Sequence, residues 1–153
     1  MAVDWDNRYL DLAEYIGQWS KDQSRKVGCV IVGPDREMRA IGYNGFPRGI
    51  DDADASRHER PAKYLWTEHA ERNAIFHAAR IGIPLAGCSM YLPWFPCMAC
   101  ARAIVQSGIV RLVAFRPDTL DPRWGEEFHF AIELFREAGV DVVFRPLAEP
   151  DQS

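Results

Sequence analysis

The chain has 153 residues, 48% hydrophobic and 26% charged, which suits one globular domain over residues 1–153 built around a single core. Its net charge is −4 and it has no run of lysine or arginine, which argues against a protein that lives on polynucleotide phosphates. The opening MAVDWDNRYLDLAEY carries early acids and no long apolar run, so it reads as neither secretion signal nor membrane span, and a reducing cytoplasm is the expected setting.

Trp5, Tyr9, Leu12, Ile16 and Trp19 recur at three- and four-residue steps, predicting an amphipathic first helix of about four turns. KVGCVIVG then reads as a buried strand, and EMRAIGYNG as its hairpin partner across a GPDR turn. Phe46 to Trp66 is polar and irregular. EHAERNAIFHAARIGI is a helix stopped by Gly82, GCSMYLPW a short strand, and CMACARAIVQSG a helix capped by Gly108. VRLVAF, EEFHFAIELFREAGV and DVVFRP add strand, helix and strand, and LAEPDQS reads as a frayed tail. The order αββαβαβαβ predicts a three-layer α/β/α sandwich with a five-stranded mixed sheet, parallel where helices intervene.

Two of the four cysteines, Cys97 and Cys100, follow Pro96 at the start of a helix. At that spacing two thiolates share one side of the first turn, and the positive helix end favours their ionised form. Taken alone the pair could be a metal half-site or a redox couple. His69-Ala70-Glu71 opens the preceding helix and separates these readings, because histidine is the natural third zinc ligand and glutamate a natural base beside it. Both fit one centre only if the two helix tips converge, since side chains in a first turn lean toward the N-terminal end. His69, Cys97 and Cys100 leave the fourth tetrahedral position open, as at a catalytic Zn2+. This H-x-E and P-C-x-x-C pattern is the signature of zinc deaminases of nucleobases, with Glu71 as proton shuttle and Ala70 N–H as a donor to the base.

Beyond that signature, WSKDQSRKVGCVIVG, GYNGFPRGIDD, HAERNAIFHAAR, GCSMYLPWFPCMACARAIVQSGI and AGVDVVF resemble the cytidine and deoxycytidylate (dCMP) deaminases, from about Trp19 to Val143. The resemblance implies a cytidine-deaminase-like fold and hydrolysis of a free cytosine nucleotide, dCMP to dUMP and ammonia. It implies a homo-oligomer, dimer or hexamer, that takes a small nucleotide rather than nucleic acid or membrane. It further implies a nucleoside contact by Asn44 and a phosphate or subunit contact by Arg80; some relatives respond to dCTP and dTTP. The segment before His69 offers His58 but no cysteine, so a second metal is not expected. Arg72 and His77 depart from the family pattern and raise another nucleoside, base or modified nucleotide as an alternative substrate. A tRNA-editing adenosine deaminase and a non-catalytic zinc module with Cys88 as fourth ligand are further rivals.

Plainer readings stand beside these. Asn44-Gly45 also suits a hairpin turn. Arg80 at a helix end also complements the dipole, and Arg48, a second phosphate candidate, also suits a solvated loop. Trp94 and Phe95 either wall the base pocket or belong to the core. Cys29 and Cys88 read as core thiols, His77 as a packing or interface residue and His129 as facing solvent or a neighbour.

Overall fold

A computed structural model describes residues 2–146; the LAEPDQS tail lies outside the described residues. Helix α1 spans Trp5–Gly17, strand β1 Gly28–Val32 and strand β2 Met38–Tyr43. A 3-10 turn at Ala55–His58 and a four-residue helix α2, Lys63–Trp66, punctuate the segment expected to be irregular. Then follow α3 (Ala70–Ile81), β3 (Ser89–Leu92), α4 (Met98–Gln106), β4 (Arg111–Phe115), α5 (Gly125–Ala138) and β5 (Asp141–Arg145). The expected order is observed, with only these two short turns added.

The five strands form one mixed sheet in the order β2-β1-β3-β4-β5. β1 is antiparallel to both neighbours, while β3, β4 and β5 run parallel. The β1–β2 hairpin turns at GPDR, where Gly33 N–H donates to Glu37 O at 2.8 Å and Arg36 takes a left-handed φ of 66°. The crossover from β2 through α3 to β3 passes over β1. That leaves β1 buried along its whole length, which is why its sequence is apolar without alternation.

Each face of the sheet has its own core. α1 packs Tyr9, Leu10, Ala13 and Ile16 on Val30, Val32, Tyr91 and Val113. On the opposite face α3, α4 and α5 cover Cys29, Ile31, Met90, Leu92 and Leu112. α3 meets the sheet through Ala70, Ala74 and Ala78, side chains small enough to bring its backbone close to β2. Gly42 makes that approach possible, since a Cβ there would stand 2.3 Å from Ala70 O. The tip of α3 is therefore held in place by a missing side chain.

Trp19 does not extend the α1 stripe. The helix stops at Gly17, whose added Cβ would meet Gly28 N at 2.9 Å, and Trp19 lies half-exposed, edge-on to Tyr15 and Tyr43. Its periodic spacing continued past the point where β1 blocks the helix. At the other end Asp4 caps α1 by accepting from Asn7 N. Asp6 ties that end to the sheet, pairing with Arg111 at 2.7 Å and Arg145 at 3.1 Å and accepting from Tyr91 Oη at 3.0 Å. The Arg111 guanidinium outweighs burial and holds the Asp6 carboxyl down at about 2.

Candidate active site

His69 is the N-cap of α3 and Cys97 the N-cap of α4, and neither side chain caps its own helix. Both turn instead toward one point. His69 Nδ1 lies 3.5 Å from Cys97 Sγ and 3.4 Å from Cys100 Sγ, and the three ligand atoms all fall within 4.8 Å of one another. A tetrahedral zinc with Zn–S near 2.3 Å and Zn–N near 2.0–2.1 Å places its sulfur and nitrogen ligands about 3.5 Å apart. The residues present therefore fit that ion. Among the described residues this is the one His/Cys/acid cluster that could hold a metal. Cys88 is not part of it: it is buried near Glu37 and Arg39, so the site has no fourth cysteine.

The protonation pattern fits the same conclusion. Contact with the Cys97 sulfur pushes His69 up to about 9. Cys100 and then His69 draw the Cys97 thiol down to about 4 despite its burial, while Cys97 and burial push the Cys100 thiol upward. Three donors this close compete for protons, which a divalent cation would displace.

Because the Cys97 side chain is directed away from its own helix, the α4 amides need another acceptor. Glu127 of α5 supplies it, its Oε2 accepting from Met98 N at 2.9 Å. Sequence reading missed this contact, since 29 residues separate the partners and no local pattern marks it.

Glu71 is in the first turn of α3, and only 3% exposed. Burial pushes its carboxyl up to about 7. Such a group populates both protonation states near neutral pH, as a proton shuttle must. Ala70 is fully buried and lines the same cavity, and its first-turn N–H has no intrahelical acceptor.

The cavity has a volume of about 390 Å³, within the usual size for a small-molecule site. His69, Ala70, Glu71 and Cys97 form its floor. Asn44 and Trp94 line it; of its two readings Phe95 takes the core one, being 1% exposed and packed edge-on against Phe128 and Phe135. Asn44 is not in a hairpin turn. Gly45 pairs with Glu68 through two backbone bonds of 2.8 and 3.1 Å, while Asn44 Oδ1 accepts from Val27 N and its Nδ2 donates to Arg25 O, each at 2.9 Å. Asn44 thus stitches the segment before β1 to the cavity wall.

Arg48 and Arg80 lie elsewhere. They line a separate groove of about 430 Å³ between β2 and α3, together with His77, and that groove shares no lining residue with the cavity. Arg72 pairs with Glu68 at 3.2 Å, and it too is absent from the cavity wall. Cys29 is buried as expected and His129 is exposed. Of the segments at the cavity mouth, one falls in the stretch read as irregular and the other, between β4 and α5, was given no reading. They bring Arg60, Lys63 and Tyr64 from one side, and Asp121, Arg123 and Trp124 from the other.

Comparison with known proteins agrees with this geometry. Residues 3–116 match the profile of the cytidine and deoxycytidylate deaminase zinc-binding region. The chain is 41% identical over 150 residues to an uncharacterized deaminase from the luxG 3′ region of Aliivibrio fischeri, covering 96% of this chain and 97% of that one. It is 35% identical over 143 residues to the deoxycytidylate deaminase of Mus musculus, covering 90% and 78%. The dCMP deaminase of cyanophage S-TIM5, solved with dCMP and dUMP, has the same fold, with a TM-score of 0.76 at 23% identity over 95% of this chain and 99% of that one. The matched range includes His69, Glu71, Cys97 and Cys100, and the chain belongs to the cytidine and deoxycytidylate deaminase family.

Proposed function

We propose that the chain hydrolyses a free cytosine nucleotide, converting dCMP to dUMP and ammonia with zinc as cofactor. The observation that carries this is the meeting of His69 Nδ1, Cys97 Sγ and Cys100 Sγ beside a cavity that His69, Cys97 and the buried Glu71 all line. Zinc held by those three residues would supply an acidified water, with a pKa of roughly 7.

The chain's own groups account for the rest. Glu71 takes a proton at its carboxylate and delivers it to the ring nitrogen, then carries a second to the departing amine. Ala70 N–H donates to the base carbonyl and fixes its orientation. Trp94 gives the base an apolar wall, and Trp124, edge-on to His69 at 6.3 Å, walls the metal side and keeps bulk water out. The alternative of a different base or nucleoside rested on Arg72 and His77, and neither lines the cavity.

The same reading includes a homo-oligomer in a cytoplasmic setting. Tyr43, Phe76 and Ile81 are exposed on the β2–α3 face, which supports association of copies, and the four free cysteines suit a reducing compartment. Among the described residues, no helix is long and apolar enough to cross a membrane.

The test is ammonia release from dCMP, cytidine, deoxycytidine, cytosine, adenosine and guanine by the zinc-loaded protein. dCMP should be turned over fastest. Turnover of a purine with silence on every cytosine compound would overturn the assignment.

A further inference from the structure

The cavity mouth carries four cations, Arg25, Arg60, Lys63 and Arg123. Lys63 is already committed. Its Nζ pairs with Asp22 at 2.9 Å in a largely buried contact, and it also meets Ser24. Burial opposes ionisation of Asp22, but Lys63 and the Ser24 and Arg25 amides hold its carboxyl at about 2. That leaves three guanidiniums on a cavity wall that also carries Asp121, whose Oδ1 is occupied by the amides of Arg123 and Trp124 at 2.8 Å.

Two of the three are parked in an unusual way. Arg25 lies over the Trp94 ring at 3.7 Å, and Arg123 over the Tyr64 ring at 3.6 Å. Among the described residues neither guanidinium makes an ion pair or donates a side-chain hydrogen bond. Stacking uses the face of a guanidinium and leaves its in-plane N–H fork open, the edge that grips a phosphate in bidentate fashion. Both aromatic supports line the cavity themselves, so the two forks stand on its wall. The amides of Trp124 and Arg123 do most to keep the Asp121 carboxyl below its usual range, and the charges of Arg25 and Arg123 both add to that effect. The two guanidiniums therefore act on a common point of the rim. Asn44 fixes the backbone of Arg25 from below.

We infer that Arg25 and Arg123 form a two-armed clamp for the 5′-phosphate of the substrate, making this a nucleoside monophosphate site. The clamp rests on the deaminase reading of the same cavity. It reassigns the phosphate contact from Arg48 and Arg80, which line the separate groove. Arg25 and Arg123 hold the phosphate while Ala70 and Glu71 address the base from the same cavity, so selection for the nucleotide and orientation of the base become one event.

The experiment compares wild type, R25Q, R123Q and the double variant, all with measured zinc content, on dCMP and deoxycytidine. It adds calorimetric binding of dUMP and deoxyuridine. Both arginines are exposed, so the variants keep the fold and the metal. Wild type should prefer dCMP. Each charge-assisted bond is worth roughly 10-fold or more, so the double variant should lose about 100-fold of that preference, mainly in KM, with dUMP affinity falling in parallel. R25K and R123K should recover only part of it, because lysine restores charge without the fork. An unchanged dCMP preference in the double variant would overturn the clamp while leaving the reaction intact. If zinc-loaded wild type turned over neither cytosine compound, the reaction and the clamp would fall together.

Discussion

Two cavities of similar size sit on either side of the β2 end of this molecule, and only one is equipped for chemistry. The groove between β2 and α3 is the larger, about 430 Å³ against 390 Å³, and it too carries arginines and a histidine. What it lacks is convergence. His77 Nδ1 is spent on Ile41 O at 3.2 Å, and no cysteine reaches the groove. In the other cavity two helix N-termini aim at one point, and the cap positions carry side chains that could hold a metal. Reactivity here follows from where helices end, not from the space available.

Five experiments would break or sharpen this contrast. Cys97→Ala should abolish both zinc binding and turnover, read by metal analysis and ammonia release; retained activity would remove the metal from the mechanism. Glu71→Gln should keep the metal and the fold yet lower kcat by about 10³-fold, the scale of a lost proton shuttle. Gly42→Ala forces a methyl against Ala70 O, so it should destabilise the fold by about 2 kcal/mol by denaturant titration and disturb the α3 tip enough to lower activity.

The fourth concerns acid. The Asp6 carboxyl is held at about 2 in the folded chain, against roughly 3.9 when unfolded. A lowered pKa stabilises the fold above about pH 4, and that stability is lost as pH falls toward 2. Asp6→Asn should therefore lower Tm near neutral pH and flatten its decline between pH 4 and pH 2. The smallest effect belongs to the second groove: Arg80→Ala should change kcat/KM for dCMP by no more than about twofold, the scale of an ordinary surface substitution. A large KM increase would bring that groove back into substrate binding.

Local grammar explains what could be read in advance. His69, Glu71, Cys97 and Cys100 lie within a few residues of helix starts, so their spacing encodes their convergence. The glycines at 82 and 108 mark helix ends directly, each with positive φ, and Gly139 ends α5 in the same way one residue short of the expected helix. The hairpin turn and the order of elements along the chain followed from the same short-range signals, while the order of strands across the sheet did not. Trp19 misled because helical periodicity does not register the arrival of β1 at Gly17. Phe95 was open between pocket wall and core because adjacency to Cys97 in the chain does not say whether a ring turns to the cavity or, as here, under α5 against Phe128 and Phe135. Glu127, Arg25 and Arg123 were not legible because their partners come from other elements, and a loop arginine looks the same whether it meets water or an aromatic face.

Glu127 gives the fold one more property. The carboxylate that holds the tip of α4 stands one turn beyond Arg123, on the helix whose start forms the cavity rim. Rim and sulfur pair therefore share a single rigid strut. An engineer who reshapes the stretch from Asp118 to Trp124 to admit bulkier nucleotides will also be tilting the thiols, and should expect metal affinity and substrate range to change together.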